Sequence, residues 1–256
     1  VAESTQVTIY DGDGPDMPMW MVFNGTGTTW LSASGGISSL AMLNGILCAG
    51  AGGTNQRLRI VRFVHDDNRD YATTGSGGGI RAGGGAVVDR NSQYSFNVTI
   101  DGNTGIVERT INDVAMTVLP NAPIDADTGL PVPTIAVGTQ GGTSVITDSG
   151  NVYDISGFSP TTSIEFYGSK LAFSTEVSST TYITVGPSSL SSDIAVQNWR
   201  DYKGEYNSSG TQGIEVLTDM ADHLAYGNAI YSAGVNGLTA IDHKESDASL
   251  SMGALI

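Results

Sequence analysis

Three short runs in the second half of the chain decide the fold: Thr134-Ile-Ala-Val137, Ser144-Val-Ile-Thr147 and Asn151-Val-Tyr-Asp-Ile155. Glycine-bearing turns, Gly141-Gly142 and Asp148-Ser-Gly150, separate them. Short runs rich in Val, Ile, Thr and Tyr and bounded by Gly, Asn, Asp and Ser are typical of strands joined by tight turns. The stretch therefore predicts an antiparallel meander.

The same theme of strand, turn, strand, turn, strand recurs at Leu40 to Val64, where Asn44-Gly45 is the first predicted turn, and at Ile164 to Val185 and Leu224 to Ile241. Four meanders with no helix between them predict an all-β fold of repeated antiparallel meanders, and a β-propeller is the favoured packing. The copies are unevenly spaced, however, whereas regular propeller blades repeat at about 40 to 50 residues. A β-sandwich or barrel of meanders is therefore the alternative.

The domain organisation is predicted to be one β-propeller-like region over residues 1–256. Four prolines bracket a stiff connector, so the segment 120–133 is a candidate internal boundary. The chain begins at Val1 without a signal-like region, and we expect it to be a fragment of a larger protein or a processed product. The glycine-rich stretch Gly75 to Gly85 is predicted to be a mobile loop, because glycine backbone loses much entropy on ordering.

Composition excludes several classes of protein. A net charge of −15, with only 11 Lys and Arg, argues against nucleic acid as a main partner. No apolar run approaches the roughly 20 residues of a membrane span. A single cysteine cannot form an internal disulfide, and Cys48 is predicted to be buried and unpaired in the apolar strand Ile46 to Ala49. With 39% hydrophobic and 14% charged residues, the chain is not of the disordered class.

An acidic loop near the start of the chain is the candidate metal site. Asp11, Asp13 and Asp16 cluster around glycines, and carboxylates two residues apart can supply oxygen ligands to calcium. The complete calcium-loop pattern is absent, so a solvated turn is the alternative. Calcium is the one cofactor that the sequence suggests.

Other charged residues are weaker candidates. Asp125 and Asp127 form a similar short pattern, and His65-Asp66-Asp67 with Asp70 reads as solvated charge after a strand. That strand, Leu58 to Val64, alternates apolar and basic residues, which predicts one buried and one wet face.

The sequence favours no enzymatic chemistry. It contains no Gly-x-Ser-x-Gly nucleophile elbow, and none of the histidines His65, His223 and His243 forms an i, i+4 pair. Sequence distance alone does not exclude groups that converge in space. We expect the protein not to be an enzyme.

The segment Gln197 to Tyr206 is the candidate recognition surface. It places Trp199, Arg200, Tyr202 and Tyr206 close together in a chain that is otherwise poor in charge. Aromatic faces stack on sugars or peptides, and they are enriched at interfaces. The alternative is an amphipathic helical turn that covers the end of a sheet.

Two stretches carry a resemblance to a known family. They are Met17-Pro-Met-Trp-Met-Val-Phe23 and the long stretch from Ile111 to Val137, which leads into Gly141-Gly-Thr-Ser-Val-Ile146. These stretches resemble the repeat-bearing virion proteins of marine tailed bacteriophages, which are tail or fibre components. The resemblance covers about Ile9 to Ile155 and Tyr226 to Asp242. It implies a component of a phage particle and transfers no functional residue.

Two functions follow as expectations. The first is a structural virion protein of the tail or fibre, a rigid scaffold in assembly or host contact that binds other virion proteins and copies of itself. The alternative is a carbohydrate-binding module that recognises surface glycans. The expected location is the virion, an extracellular particle.

Overall fold

A computed structural model describes the following residues: 1–3, 6–24, 30–31, 36–51, 57–73, 79–83, 85–92, 98–101, 105–157, 159–167, 170–177, 180–195, 200–203, 220–226, 229–234, 237–242 and 251–255. Within them the chain forms strands β1 to β21, one short 3-10 turn at Val87–Asp89, and no α-helix. None of the sheets closes on itself. The prediction of an all-β fold of antiparallel meanders is confirmed, and the propeller packing stays a prediction.

The first part of the chain forms a hairpin and a six-stranded sheet, each in sequence order. The hairpin pairs β1 (Val7–Tyr10) with β2 (Met19–Phe23). The sheet contains β3 (Ile37–Leu43), β4 (Ile46–Ala51), β5 (Leu58–Arg62), β6 (Asp67–Tyr71), β7 (Ile80–Ala82) and β8 (Val98–Asp101).

Three further sheets follow. The five-stranded sheet has the order β16-β12-β11-β10-β9, and the two four-stranded sheets have the orders β13-β14-β15-β17 and β18-β19-β20-β21. Their bounds are β9 (Ile111–Thr117), β10 (Thr134–Thr139), β11 (Gly142–Ile146), β12 (Val152–Ser156), β13 (Thr161–Tyr167), β14 (Lys170–Val177), β15 (Thr180–Pro187), β16 (Ile194–Ala195), β17 (Arg200–Lys203), β18 (Met220–Tyr226), β19 (Ala229–Gly234), β20 (Gly237–Asp242) and β21 (Ser251–Leu255). All strand pairs are antiparallel except β12 with β16.

Turn chemistry sets the connection between β3 and β4. Asn44 and Gly45 have φ values of 50° and 74°, so both lie in the left-handed region. Two successive left-handed residues give the hairpin turn whose twist matches that of the strands, and Asn-Gly is the favoured pair. The predicted Asn44-Gly45 turn is confirmed.

Apolar clusters fill the spaces between neighbouring layers. Between the hairpin and the six-stranded sheet lie Val7, Phe23, Trp30, Leu31, Leu47, Ala49 and Val61. Between the six- and five-stranded sheets lie Cys48, Leu58, Ile60, Tyr71, Ile80, Ile106, Ile111, Val114, Ile135, Val137 and Ile146. Between the five-stranded sheet and the β13–β14 pair lie Ala115, Ala136, Val145, Ile155, Ile164, Phe166, Leu171 and Phe173.

The five-stranded sheet is covered on both faces. Along β10, Ile135 and Val137 pack toward the six-stranded sheet, and Ala136 between them packs toward β13 and β14. This alternation follows from the two-residue period of side chains along a strand. Every residue of β10 is buried, which explains why its sequence is an almost continuous apolar run.

Glycine permits a close approach where the six- and five-stranded sheets meet. A Cβ atom at Gly50 would overlap the side chain of Ile111, so only glycine lets β4 lie this close to β9. Beside it, Cys48 is buried and free, as predicted, and burial raises the pKa of its thiol.

The predicted wet face of β5 is wrong. Arg59 is buried and lies directly opposite Asp70 of β6 in the strand register. Its Nε lies 3.6 Å from Asp70 Oδ1, and Arg57 Nη1 lies 2.8 Å from Asp70 Oδ2. The buried guanidinium of Arg59 is tolerated because the carboxylate of Asp70 lies beside it and compensates its charge.

The acidic side chains Asp66, Asp67 and Asp70, which follow β5, bond to other residues. The prediction that they are merely solvated is therefore wrong. Asp67 forms an ion pair with Arg62, and Asp66 Oδ1 accepts a hydrogen bond from the Val87 N–H at 2.5 Å. Asp70 is the buried partner of Arg59. The predicted mobile loop also contains β7, Ile80–Ala82.

The segment 120–133 connects adjacent strands, β9 and β10, of one sheet. Asn44 Nδ2 donates to the Pro131 carbonyl at 2.8 Å and ties this connector to the β3–β4 turn. The single-region organisation of the chain stays a prediction. None of the described residues belongs to a helix long and apolar enough to cross a membrane.

Candidate functional site

A polar cleft lies at one end of the five-stranded sheet, where β9 and β11 end and β10 and β12 begin. Its volume is about 440 Å³. Four segments form its walls: the residues after β9, the start of β10, the β11–β12 turn with the start of β12, and the chain that leaves β15. The lining residues are Leu119, Pro120, Thr134, Thr147, Asp148, Ser149, Asn151, Tyr153, Ser188, Ser189, Leu190 and Ser191.

Most lining side chains carry a hydroxyl, carboxamide or carboxylate group, and the apolar part comes from Leu119, Pro120, Leu190 and the ring of Tyr153. Among the described residues that line the cleft, Asp148 is the one charged residue, and none is Lys, Arg or His. A few polar groups beside an apolar surface are typical of small-molecule sites. The cleft can therefore orient an uncharged polar ligand.

Hydrogen bonds within the β11–β12 turn position one wall of the cleft. Thr147 Oγ1 and Ser149 Oγ lie 2.8 Å apart, and Asn151 Nδ2 donates to Ser149 Oγ at 3.0 Å. The Gly150 N–H donates to the Thr147 carbonyl at 2.8 Å, and Gly150 has a φ of 84°. A side chain is disfavoured at that left-handed φ, so glycine allows the turn that presents these polar groups.

Thr134 borders the cleft, and its hydroxyl group is buried behind the cleft wall. The residue is 1% exposed, and its Oγ1 has no hydrogen-bond partner among the described residues. A buried hydroxyl left unpaired costs about 1–3 kcal/mol. The Thr134 hydroxyl is therefore closed off from the cleft as well as from the described polar groups.

A second cluster of polar side chains lies where the connector meets the six-stranded sheet. His65 Nε2 lies 3.2 Å from Asp125 Oδ2 and 3.4 Å from Asp127 Oδ2. The three side chains each offer a ligand atom, and these atoms lie within 4.8 Å of one another. An imidazolium would form an ion-pair network here, and a divalent cation could take the same nitrogen and oxygen donors. Either the ion pairs of a protonated His65 or a bound cation would link the connector 120–133 to the six-stranded sheet.

The turn at Asp125 is built by its own backbone. The N–H groups of Thr128 and Asp127 donate to Asp125 Oδ1 at 3.0 Å and 2.9 Å. The Thr128 N–H, then the Asp127 N–H and the neighbouring His65 hold the pKa of Asp125 below its ordinary value, although burial opposes them. Donors stabilise the charged carboxylate, so Asp125 keeps its negative charge to lower pH.

The predicted calcium loop lies between β1 and β2. The Asp13 N–H donates to Asp11 Oδ1 at 3.0 Å, which is a local turn bond. Among the described residues, three ligand atoms converge at His65, Asp125 and Asp127 and not at Asp11, Asp13 and Asp16. Calcium binding at the acidic loop stays a prediction.

The predicted recognition segment is described only from Arg200 to Lys203, which form β17 and pair with β15. The alternative of a helical turn is wrong for these residues, because the backbone forms a strand. Trp199 and Tyr206 lie outside the described residues. Arg200 and Tyr202 stand in β17 opposite Val185 and Ile183.

Sequence reasoning missed the cleft and the convergence of His65 with the connector. The cleft draws on four separate segments of the chain between Leu119 and Ser191, and none of them carries a motif. The short pattern of Asp125 and Asp127 was a usable signal for the second cluster, but its partner His65 lies far away in sequence.

Comparisons with known proteins identify no family: no family model matches the chain, and no curated protein matches it. Among solved structures, the chain is similar to Kluyveromyces lactis Hsv2p, with 11% identity and a TM-score of 0.46, over 98% of this chain and 67% of that one. It is also similar to a candidate 6-phosphogluconolactonase from Bacteroides uniformis, with 13% identity and a TM-score of 0.39, over 98% of this chain and 68% of that one. These low values carry neither a family nor a function to this protein.

Proposed function

We propose that the chain is a structural component of a phage particle, a tail or fibre protein that serves as a rigid scaffold in assembly or host contact. The observation that supports the proposal best is the burial of the five-stranded sheet on both faces. Sheets packed in successive layers resist bending, since cores are close-packed and of low compressibility. The proposal assigns no catalytic chemistry to the chain, and the phage setting rests on the resemblance in sequence.

The proposed assembly surface is the segment Gln197 to Tyr206. Its described part, β17, is the last strand in the order of its sheet. An edge strand presents backbone groups to which another chain can add a strand. Copies of the same chain or other virion proteins are the proposed partners.

Self-association tests the scaffold proposal. Sedimentation velocity of the 256-residue chain should reveal concentration-dependent oligomers, and Trp199→Ala should weaken them without changing the β signal in circular dichroism. A chain that stays monomeric at high concentration contradicts the proposal. A Trp199→Ala protein that melts much earlier yet assembles normally contradicts only the proposed assembly surface, because a core Trp→Ala change typically costs about 3–5 kcal/mol of stability.

A second candidate function is recognition of a surface glycan, and the polar cleft specifically favours it. Its hydroxyl and amide groups beside Tyr153 match the hydroxyls and the apolar ring faces of a sugar. A glycan array probed with the full chain separates the two candidates. A pure scaffold gives no signal, and a binding module gives a selective one.

A further inference from the structure

We propose that His65, Asp125 and Asp127 form a binding site for one zinc-like divalent metal ion, which links the connector 120–133 to the six-stranded sheet. His65 lies in the turn between β5 and β6, and the two aspartates lie in the connector between β9 and β10. Their ligand atoms lie within 4.8 Å of one another. This metal site is independent of the proposed scaffold and glycan-binding functions.

The distances between the donor atoms fit a metal ion better than they fit hydrogen bonds. His65 Nε2 lies 3.2 Å from Asp125 Oδ2 and 3.4 Å from Asp127 Oδ2. A charge-assisted N–H···O bond is shorter, about 2.7–2.9 Å. A tetrahedral ion with bonds of about 2.0–2.1 Å holds neighbouring ligand atoms about 3.3–3.4 Å apart. One ion would therefore satisfy both distances with little movement of the side chains.

The number of donors at His65 leads to the same conclusion. Nε2 of an imidazole carries at most one hydrogen, whether the ring is neutral or protonated. Two carboxylate oxygens, from Asp125 and Asp127, face that single nitrogen. One hydrogen cannot point at both oxygens, whereas an ion between the three atoms can bond to all of them. The two carboxylates would also balance the charge of a divalent ion.

Asp125 is held in place by groups outside the proposed ligand set. Its Oδ1 accepts hydrogen bonds from the N–H groups of Asp127 and Thr128 at 2.9 Å and 3.0 Å. These bonds leave Oδ2 facing His65. Ligating carboxylates are commonly oriented by hydrogen bonds of this kind. The folded chain therefore presents one ligand oxygen in a fixed position.

The site has space for a further ligand and access from solvent. A cavity of about 10 Å³ is lined by His65, Asp125 and Thr128 among other residues. This volume is close to the roughly 10–15 Å³ that holds one water molecule. Asp127 is 68% exposed, so an ion can enter from its side. Three protein ligands and one water would complete a four-coordinate site.

The mixed donor set selects the class of metal. Calcium and magnesium take oxygen ligands, whereas an imidazole nitrogen suits zinc, copper, nickel and iron. His65 supplies that nitrogen, and it lies between the two carboxylates. The site should therefore prefer zinc to calcium.

The test titrates the metal-free full chain in a calorimeter with zinc chloride and, separately, with calcium chloride. We expect one zinc ion per chain with micromolar or tighter affinity, and much weaker calcium binding. Asp127→Asn and His65→Ala should each weaken zinc binding at least tenfold, since even loss of a residue behind a ligand costs about 10–100-fold. Cobalt(II) in place of zinc should give the intense visible absorption of a tetrahedral site.

Matched controls change donors elsewhere in the chain. Asp13→Asn alters the acidic loop between β1 and β2, and His223→Gln and His243→Gln remove the other two histidines. All three variants should bind zinc as tightly as wild type. Zinc should also raise the urea midpoint of wild type more than that of Asp127→Asn, because a ligand stabilises the state that binds it.

Three results would overturn the proposal. Zinc binding that survives both Asp127→Asn and His65→Ala places the ion elsewhere in the chain. Calcium that binds more tightly than zinc shows that the imidazole does not select the metal. If no zinc binds up to millimolar concentrations, the three side chains form an ion-pair network and not a metal site.

Discussion

The six-stranded and five-stranded sheets share one apolar cluster but accommodate buried polar groups in different ways. The six-stranded sheet buries charges in pairs, with Arg59 and Asp70 facing each other on adjacent strands. The five-stranded sheet buries hydroxyls, such as Thr143 and Ser144, which bond to the next sheet or within their own. The comparison teaches that buried charges lie opposite counter-charges, whereas buried hydroxyls bond to hydroxyl, carboxylate or backbone groups.

The charge pairs join strands within a single sheet. Arg59 and Asp70 are direct partners in the register of β5 and β6, and so are Arg62 and Asp67. A slip of one residue would separate both pairs, and the buried Arg59 and Asp70 would no longer face each other. The ion pairs therefore favour one register of the six-stranded sheet.

The hydroxyls join different parts of the fold. Thr143 Oγ1 and Thr161 Oγ1 lie 2.9 Å apart and connect the five-stranded sheet to β13. Ser144 Oγ donates to Asp154 Oδ1 at 2.6 Å and accepts from the Val107 N–H at 2.8 Å. Short polar side chains can do this because they occupy little space in a crowded layer.

The largest expected effect is that of breaking the buried charge pair. Asp70→Asn should lower the free energy of unfolding by about 3–5 kcal/mol, since it leaves Arg59 charged and buried without a carboxylate. Chemical denaturation of both proteins measures the difference. Asp67→Asn is the matched control, because Asp67 is 33% exposed and its surface pair with Arg62 should contribute about 0–1 kcal/mol. Equal losses of unfolding free energy in Asp70→Asn and Asp67→Asn would contradict the predicted difference between the buried pair and the surface pair.

Breaking the Thr143–Thr161 hydroxyl pair should lower the free energy of unfolding by a smaller amount, and the effects of the two single changes should not add. Thr143→Val should cost about 1–3 kcal/mol, because it leaves the hydroxyl of Thr161 buried without this partner. Replacing both residues by valine should cost less than the sum of the single changes, since no unpaired hydroxyl then remains. A double-mutant cycle in urea measures the coupling. Strict additivity would show that the two hydroxyls do not support each other.

Sequence patterns predicted the meanders well because strand and turn signals are local. The run Thr134 to Val137 and the Asn44-Gly45 turn appear in the structure where their residue types placed them. The burial of Arg59 was not predictable in this way, because its partner Asp70 lies on a strand with a polar, acidic sequence. The local pattern of apolar and polar residues shows which face of a strand carries polar side chains. It does not show whether a charged side chain on that face is paired with an opposite charge from another strand.

The candidate site was less predictable than the fold. The cleft combines Thr134 and Tyr153, which the pairing of β10, β11 and β12 brings together, with Ser188, which follows β15 of the next sheet. Their residue types are common in every loop of this chain. No local signal separates a serine that lines a cleft from one that faces open solvent.

The smallest effects concern pH, and they should have opposite signs in the two regions. In the five-stranded sheet, burial raises the pKa of Asp154 and the nearby Asp193 carboxylate adds to this, while the Ser144 hydroxyl opposes it. The folded chain then binds this proton more tightly than the unfolded chain, so stability falls as pH rises from the unfolded pKa of 3.8 through the raised pKa of the folded chain. Asp154→Asn should remove this loss. Relative to wild type, the variant should therefore gain stability as pH rises through that window.

Asp125, which packs beside His65 at the six-stranded sheet, provides the counter-case. Its lowered pKa means that its contribution to stability is present above the unfolded value of 3.8 and disappears as pH falls through the folded value. Asp125→Asn should therefore be less stable than wild type at neutral pH, with a difference that shrinks in acid. Urea titrations of both variants between about pH 3 and pH 7 measure the two slopes, which linkage requires to have opposite signs. Parallel slopes would mean that the two carboxylates experience the same environment, and the contrast between a buried acceptor in a sheet and a donor-rich turn would be wrong.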